Sequence, residues 1–207
     1  FSKIWKSFSS DQNEIFYTAN NYEGDSDDGT RKLKVYSARS EGEGKWGKRE
    51  SLPFNSDEYS VAHPSLTEDG NRLFFASDMP GGFGGMDLYY SDLESGRWGP
   101  PTNLGPAINT SGREFAFALT AKGDEAYMVT YQQDLPGYKG DGDIVKIQLS
   151  KSAQPDPVVL VYGKVLNQKT NEPISADINY FGLSDDKDYG SASSDPNTGE
   201  YKIILPR

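Results

Sequence analysis

A polar turn leading into an aromatic strand recurs three times along this chain. It runs Ser9-Ser10-Asp11-Gln12-Asn13-Glu14-Ile15-Phe16-Tyr17-Thr18, then Thr67-Glu68-Asp69-Gly70-Asn71-Arg72-Leu73-Phe74-Phe75-Ala76-Ser77, then Thr120-Ala121-Lys122-Gly123-Asp124-Glu125-Ala126-Tyr127-Met128-Val129. Repetition constrains a fold more than any single motif, because every copy must build the same unit and bury its apolar face on its neighbours. Each copy continues through a loop rich in Gly or Asp into a second strand, at 33–37, 88–91 and 144–147. The first two copies add a Gly-Lys/Arg-Trp-Gly turn (44–47 and 96–99) and a short closing strand (50–55 and 101–106). Candidate inner strands, 59–62 and 114–119, precede the second and third turns. With 13 Tyr, 10 Phe, 22 Gly and 12 Pro, the composition suits pleated sheets joined by many turns.

Four short strands in a unit of ~40–50 residues are the signature of a β-propeller blade. A sandwich with look-alike strands is the competing reading, since it too has regularly spaced turns. Shared turn chemistry at three matched positions favours blades. The expected fold is therefore all-β: a partial array of blades over 1–150, a Pro-containing polar linker over 151–157, and a second β-module over 158–207. Three blades do not close a ring, and an open array leaves strand edges bare. Further blades are expected upstream of Phe1, or another chain must cover the edge. The N-terminus Phe1-Ser2-Lys3-Ile4-Trp5 reads as mid-protein sequence, so the chain is expected to be a fragment of a longer polypeptide.

The stretch His63-Pro64-Ser65-Leu66-Thr67-Glu68-Asp69-Gly70-Asn71-Arg72-Leu73-Phe74-Phe75-Ala76-Ser77-Asp78 resembles the WD40-like PD40 repeat of TolB-type propellers. Its continuation, Met79-Pro80-Gly81-Gly82-Phe83-Gly84-Gly85-Met86-Asp87-Leu88-Tyr89, is similar to the version in OmpA-family envelope proteins of Bacteroidetes. The third copy departs, with Thr130-Tyr131-Gln132-Gln133-Asp134 where the second has Ala-Ser-Asp. In the second module, Gly163-Lys164-Val165, Thr170-Asn171-Glu172-Pro173-Ile174 and Gly199-Glu200-Tyr201-Lys202-Ile203 resemble the carboxypeptidase-regulatory-like domain, a transthyretin-like sandwich here truncated. That module is a spacer or docking element rather than a peptidase.

These resemblances imply a non-catalytic scaffold, periplasmic and associated with the outer membrane, in a multi-protein envelope assembly of the type IX secretion kind. Peptidoglycan binding would fall to a domain outside this chain. The alternatives are a carbohydrate- or calcium-binding propeller, or an accessory part of a carbohydrate-active or peptidase enzyme.

The residues themselves offer little chemistry. The net charge of −10 opposes a grip on phosphate backbones and on anionic lipid, so no nucleic acid is expected as a partner. No apolar run approaches the ~20 residues that span a bilayer, so no direct membrane insertion is expected. There is no cysteine and one histidine, His63, which removes thiolate chemistry and His-based metal clusters. His63, before Pro64, reads as a structural residue that hydrogen-bonds across a blade corner. Asp69, Asp78 and Asp87 could by type form a carboxylate pair, but they read as turn and loop residues. The loop Gly81-Gly82-Phe83-Gly84-Gly85 lacks the strand–loop–helix context of a phosphate cradle. Its glycines are expected to supply positive φ and to let Phe83 cover a neighbouring blade. Asp25-Ser26-Asp27-Asp28-Gly29 and Asp141-Gly142-Asp143 offer hard oxygens without the spacing of a calcium loop. No catalytic, metal or cofactor residue is assigned. Tyr22, Phe83, Tyr131 and Tyr138 are the candidate partner-binding residues, as aromatics on loops.

Overall fold

The computed structural model describes residues 5–10, 12–20, 32–42, 44–134, 136–138, 140–183 and 188–206. Among them there are strands and turns but no helix. The chain divides into two compact units, Phe1–Pro155 and Asp156–Arg207.

The first unit contains three successive antiparallel sheets. The first comprises β1 (Lys6–Phe8), β2 (Glu14–Asn20), β3 (Leu33–Gly42), and an outer strand in two pieces, β4 (Lys45–Trp46) and β5 (Glu50–Ser51), both on β3. The second repeats the plan with β6 (Val61–Leu66), β7 (Arg72–Ser77), β8 (Asp87–Glu94), β9 (Arg97–Trp98) and β10 (Thr102–Asn103). The third has β11 (Glu114–Leu119), β12 (Glu125–Thr130) and β13 (Asp143–Gln148), and no described outer strand. The sequence explains the difference, because the Gly-Lys/Arg-Trp-Gly hairpin that starts β4 and β9 has no third copy.

Ile15, Leu73 and Ala126 occupy one place in this plan. Each pairs with the last residue of the strand before it (Phe8, Leu66, Leu119) and with one residue of the strand after it (Ala38, Ser91, Ile147). The turns ahead of them also coincide. Ser9, Thr67 and Thr120 donate their backbone N–H to the carbonyls of Glu14, Arg72 and Glu125 at 2.8, 2.9 and 2.9 Å. Their hydroxyls donate to the same carbonyls. The turn needs a left-handed residue, and Gln12, Gly70 and Gly123 sit there at φ 58°, 73° and 75°. Sheets of this kind, repeated in sequence and stacked face on face, are propeller-type blades.

Alternation along the strands sends one set of side chains to each face, and the faces interlock. Phe16, Val35, Leu52 and Phe54 of the first repeat pack against Val61, Leu73, Phe75 and Tyr89 of the second, with Phe54 and Phe75 stacked at 4.4 Å. Phe74, Ala76, Leu88 and Ile108 pack against Phe117, Ala126 and Met128 of the third, with Phe74 and Phe117 stacked at 4.3 Å. Full burial of a Phe or Leu side chain contributes about 1.5–3 kcal/mol, so these two seams hold most of the unit's stability.

An asparagine latch reinforces each seam. The side chain of Asn55 accepts from Val35 N at 2.9 Å and donates to Val35 O, while Asn109 does the same to Leu88 N and O at 2.7 and 2.9 Å. Val35 and Leu88 are equivalent positions of β3 and β8, so the connector leaving each sheet is tied to that sheet before the next begins.

The segment expected to be a linker starts as part of this unit. Ala153 is buried in the second seam, and the Arg72 guanidinium donates to the carbonyls of Ser152 and Gln154 at 2.9 and 3.0 Å. Arg72 also pairs with Asp92 and lies over the Tyr90 ring at 4.2 Å.

In the second unit β14 (Val158–Lys164) pairs with β17 (Glu200–Pro206), and β15 (Asp177–Phe181) with β16 (Asp188–Ser193). Its turns are held by Asn167 and Asp195, whose side-chain oxygens accept two backbone N–H groups each. The N–H groups of Thr198 and Asn197 hold the Asp195 carboxyl below its usual range.

Candidate interaction face

The inner strands β1, β6 and β11 lie side by side. Both β6 and β11 contain a bulge, between Ala62 and Ser65 and between Phe115 and Ala118. The extra residues, His63 and Ala116, adopt φ 55°. A bulge re-aims side chains locally, and here it turns His63 toward both neighbouring strands. Its ring lies 4.5 Å from the Trp5 ring of the first sheet and 4.9 Å from the Phe115 ring of the third. Phe115 in turn stacks on Tyr131 at 5.9 Å. The result is an aromatic row, Trp5–His63–Phe115–Tyr131, crossing three sheets with its two end rings exposed.

His63 hydrogen-bonds to the neighbouring sheet through its backbone, N–H to Thr18 Oγ1 at 3.1 Å. Its Nδ1 is buried without a partner. Burial first, and then the Arg113 cation, lower its pKa to about 4, so the imidazole is neutral at pH 7. The expectation of a structural histidine bonded across a corner fits the main chain; the ring itself acts by stacking.

The glycine loop differs from expectation. Only Gly81 of its four glycines has a positive φ, 90°. The others are glycine because backbone or side chain lies too close. A Cβ on Gly84 would meet Gly112 O at 2.3 Å, one on Gly82 would meet Asp87 Oδ2 at 2.6 Å, and one on Gly85 would meet Arg113 Cγ at 3.0 Å. The loop wraps the buried Asp87 carboxylate, which accepts from Phe83 N, Gly84 N and Asn103 Nδ2 at 2.6, 3.0 and 3.0 Å. Gly85 N–H donates to Gly112 O and Glu114 N–H to Met86 O, tying the loop to the entry of β11. Phe83 therefore projects outward and is exposed instead of covering a blade.

Of the candidate aromatics, Phe83 and Tyr131 are exposed, while Tyr138 is half-buried and donates to Gly140 O at 3.0 Å. Tyr131 joins the entry of β11 through its N–H to Arg113 O at 3.0 Å. Tyr22 lies outside the described residues, as does the loop Asp25-Ser26-Asp27-Asp28-Gly29. Trp5, His63 and Phe115 are row members that sequence reasoning missed. Trp5 and His63 each stand three residues before the last residue of their inner strand, Phe8 and Leu66, and that shared position was the available signal.

The carboxylates considered for catalysis have separate tasks. Asp69 accepts from Thr67 and Asn71 within its turn, Asp78 accepts from Ser60 N and faces Lys32 at 3.7 Å, and Asp87 holds the glycine loop. Glu114, fully buried, accepts from Thr110 N, Thr110 Oγ1 and Thr130 Oγ1 at 2.9, 2.6 and 2.9 Å. Among the described residues no three metal-ligating His, Cys, Asp or Glu side chains are grouped.

No family model and no curated protein matches the chain. Solved structures do resemble it. A putative TolB from Agrobacterium tumefaciens matches at 13% identity and TM-score 0.46, over 98% of this chain and 58% of its own. TolB from Acinetobacter baumannii matches at 16% and TM-score 0.47, over 98% of this chain and 43% of its own. A puromycin-hydrolyzing peptidase of Mycobacterium tuberculosis matches at 13% and TM-score 0.42, over 88% of this chain and 32% of its own. The chain thus spans little more than half of one TolB structure and less than half of the other. Similarity at this level decides nothing by itself, and the blade assignment rests on the repeated sheets.

Proposed function

We propose that this chain is part of a non-catalytic protein-interaction propeller that works in the periplasm beside the outer membrane. In this reading it belongs to an OmpA-family envelope protein, within an assembly of the type IX secretion kind. The first unit supplies the docking surface. The second, a transthyretin-like sandwich of the carboxypeptidase-regulatory type, acts as a spacer or docking element.

One observation carries the reading: the row Trp5–His63–Phe115–Tyr131 runs from just before β1, through β6 and β11, to the residue after β12, with its ends open to solvent. Rigid aromatic anchors lose little side-chain entropy on binding and dominate interface energetics. Phe83, on a loop tied to the entry of β11, offers a further exposed aromatic. The net charge of −10 favours encounter with basic partner surfaces.

The test is affinity purification of the intact protein from envelope, beside a Trp5→Ser/Tyr131→Ser variant whose melting temperature matches the parent. The reading expects specific envelope proteins to co-purify with the parent and to be depleted at least ten-fold with the variant. Equal recovery on both would refute the site, and hydrolysis of a sugar or peptide substrate by the purified unit would refute the non-catalytic assignment.

A further inference from the structure

Beside the aromatic row stands a cation with no anion of its own. Arg113 immediately precedes β11, two residues ahead of Phe115, and its carbonyl accepts from Tyr131 N–H at 3.0 Å. Its side chain is exposed and is held by packing: a Cβ on Gly85 would meet its Cγ at 3.0 Å, and its Nη2 donates to the Met86 sulfur at 3.8 Å. Among the described residues the guanidinium makes no ion pair, in a chain with 31 acidic and 21 basic residues. Met86 and Arg113 are bridged, yet the acidic residue that follows each points elsewhere. Asp87 is wrapped by the glycine loop and Asn103, and Glu114 is turned inward to Thr110 and Thr130. At the inner ring of the row, burial and the Arg113 charge hold His63 neutral, and among the described residues no carboxylate acts there against them.

An unpaired guanidinium next to exposed rings is a place for a carboxylate. The rings decide what carries it. Centroid steps of 4.5, 4.9 and 5.9 Å put the end rings at most about 15 Å apart, the span of four or five extended residues. Trp5 and Tyr131 are 45% and 38% exposed, with His63 and Phe115 half-buried between them. Apolar contact is therefore offered at two separated points, whereas a sugar stacks on one open ring face. An extended peptide meets both points, because every second side chain lies on the same side of it. We propose that the element seated on the row is a short extended peptide with apolar side chains at its first and fifth positions, on the two end rings, and an Asp or Glu at the third, received by Arg113. This rests on the row being the docking surface. The net charge of −10 acts at long range on the body of a partner, while the contact at the row is of the opposite sign.

The test is a display library of short random peptides panned on the purified protein, with calorimetry on the peptides selected. The parent should select the pattern apolar–x–Asp/Glu–x–apolar. Arg113→Gln should keep the two apolar positions and lose the acid, and Arg113→Glu should exchange the acid for Lys or Arg; melting temperatures equal to the parent show that both variants are folded. Changing the acid of a selected peptide to its amide should weaken binding to the parent about ten-fold and to Arg113→Gln less than about two-fold. Selection of peptides without an acid, or an amide change that costs the parent less than about two-fold, would overturn the proposal and leave the row standing as a docking surface. Peptides held equally by the Trp5→Ser/Tyr131→Ser variant, or no peptide selected at all, would overturn the proposal together with the docking surface. Arg113-dependent binding of oligogalacturonate in place of any peptide would assign the site to an acidic glycan and overturn it as well.

Discussion

Replacing Phe74 by Ala should be among the most damaging single changes to the first unit, and its two repeat equivalents give it an internal scale. Phe74 is fully buried, stacks on Phe117 at 4.3 Å and lies 6.0 Å from the Tyr90 ring. Truncating a buried Phe costs about 3–5 kcal/mol, from lost transfer free energy and the cavity left behind. Losing an aromatic stack with good geometry adds to the area term, which places Phe74→Ala at about 4 kcal/mol. Phe16, 2% exposed and edge-on to Trp98 at 5.7 Å, should cost about the same. Tyr127 holds the same position in the third sheet but is half-exposed in this chain, so Tyr127→Ala should cost about 1 kcal/mol or less. Domains are stable by only about 5–15 kcal/mol, so the first two variants should lose a large share of the total. Urea titration followed by tryptophan fluorescence reads all three midpoints, and unchanged slopes would show that native compactness is kept. Clearly unequal losses at Phe16 and Phe74, or a loss below about 1 kcal/mol at Phe74, would refute the equivalence of the first two sheets, and equal losses at Phe74 and Tyr127 would refute the half-exposed placement of Tyr127.

The remaining expectations use the same readout unless noted. Gly84→Ala forces a Cβ onto two backbone carbonyls, Gly112 O and Thr110 O, and should cost more than about 2 kcal/mol; Gly81→Ala, with open space but φ 90°, should cost about 1–2 kcal/mol. Asn109→Ala strips both backbone groups of Leu88 of their partners and should cost about 2–4 kcal/mol, while Asn109→Asp, which keeps an acceptor but loses the donor, should fall between. The His63 pKa is lowered from 6.5 to about 4, so the unfolded chain takes up the proton first; stability should be full above pH 6.5 and decline as pH falls toward 4. With the ring partly exposed, the decline attributable to it should be about 1–2 kcal/mol, and His63→Asn, which tolerates the left-handed backbone, should flatten it. Arg72→Ala should release residues 149–154 from the sheets, seen as faster amide exchange at Ala153 and Gln154 with β7 itself still protected.

Much of this architecture could be read from local chemistry. The turn before Leu73 is fixed within six residues, by Thr67, Asp69 and Gly70, so its recurrence in sequence translated directly into a recurring structure. The uninterrupted apolar run Leu73-Phe74-Phe75-Ala76 likewise marked a strand, and it is buried along its whole length. What stayed hidden depended on partners distant in the chain. The Asn55 and Asn109 latches reach back to Val35 and Leu88, and the different spacings Leu52–Asn55 and Leu104–Asn109 disguise their equivalence. The glycines at 82, 84 and 85 look like conformational freedom in the sequence, yet the reason for two of them is the later segment 110–113 pressing on the loop. The aromatic row was missed for the same cause: Trp5, His63 and Phe115 each look ordinary, and only the lateral packing of three strands joins them. Asp141-Gly142-Asp143 suggested hard-cation oxygens, whereas Gly142 is set by a close approach to Val129 and Tyr131.

The two asparagine latches also define where one module ends and the next begins. Because Asn55 and Asn109 fasten each connector to the sheet just completed, the stretch from 56 to 109 is a self-contained cassette, with its own corner, loop and fastening. Duplicating or excising a segment with those end points would leave every fastening beside its own target, whereas a cut inside a connector would part the two. An array built this way can change length by whole cassettes, which is a route to rings of different size from one kind of part.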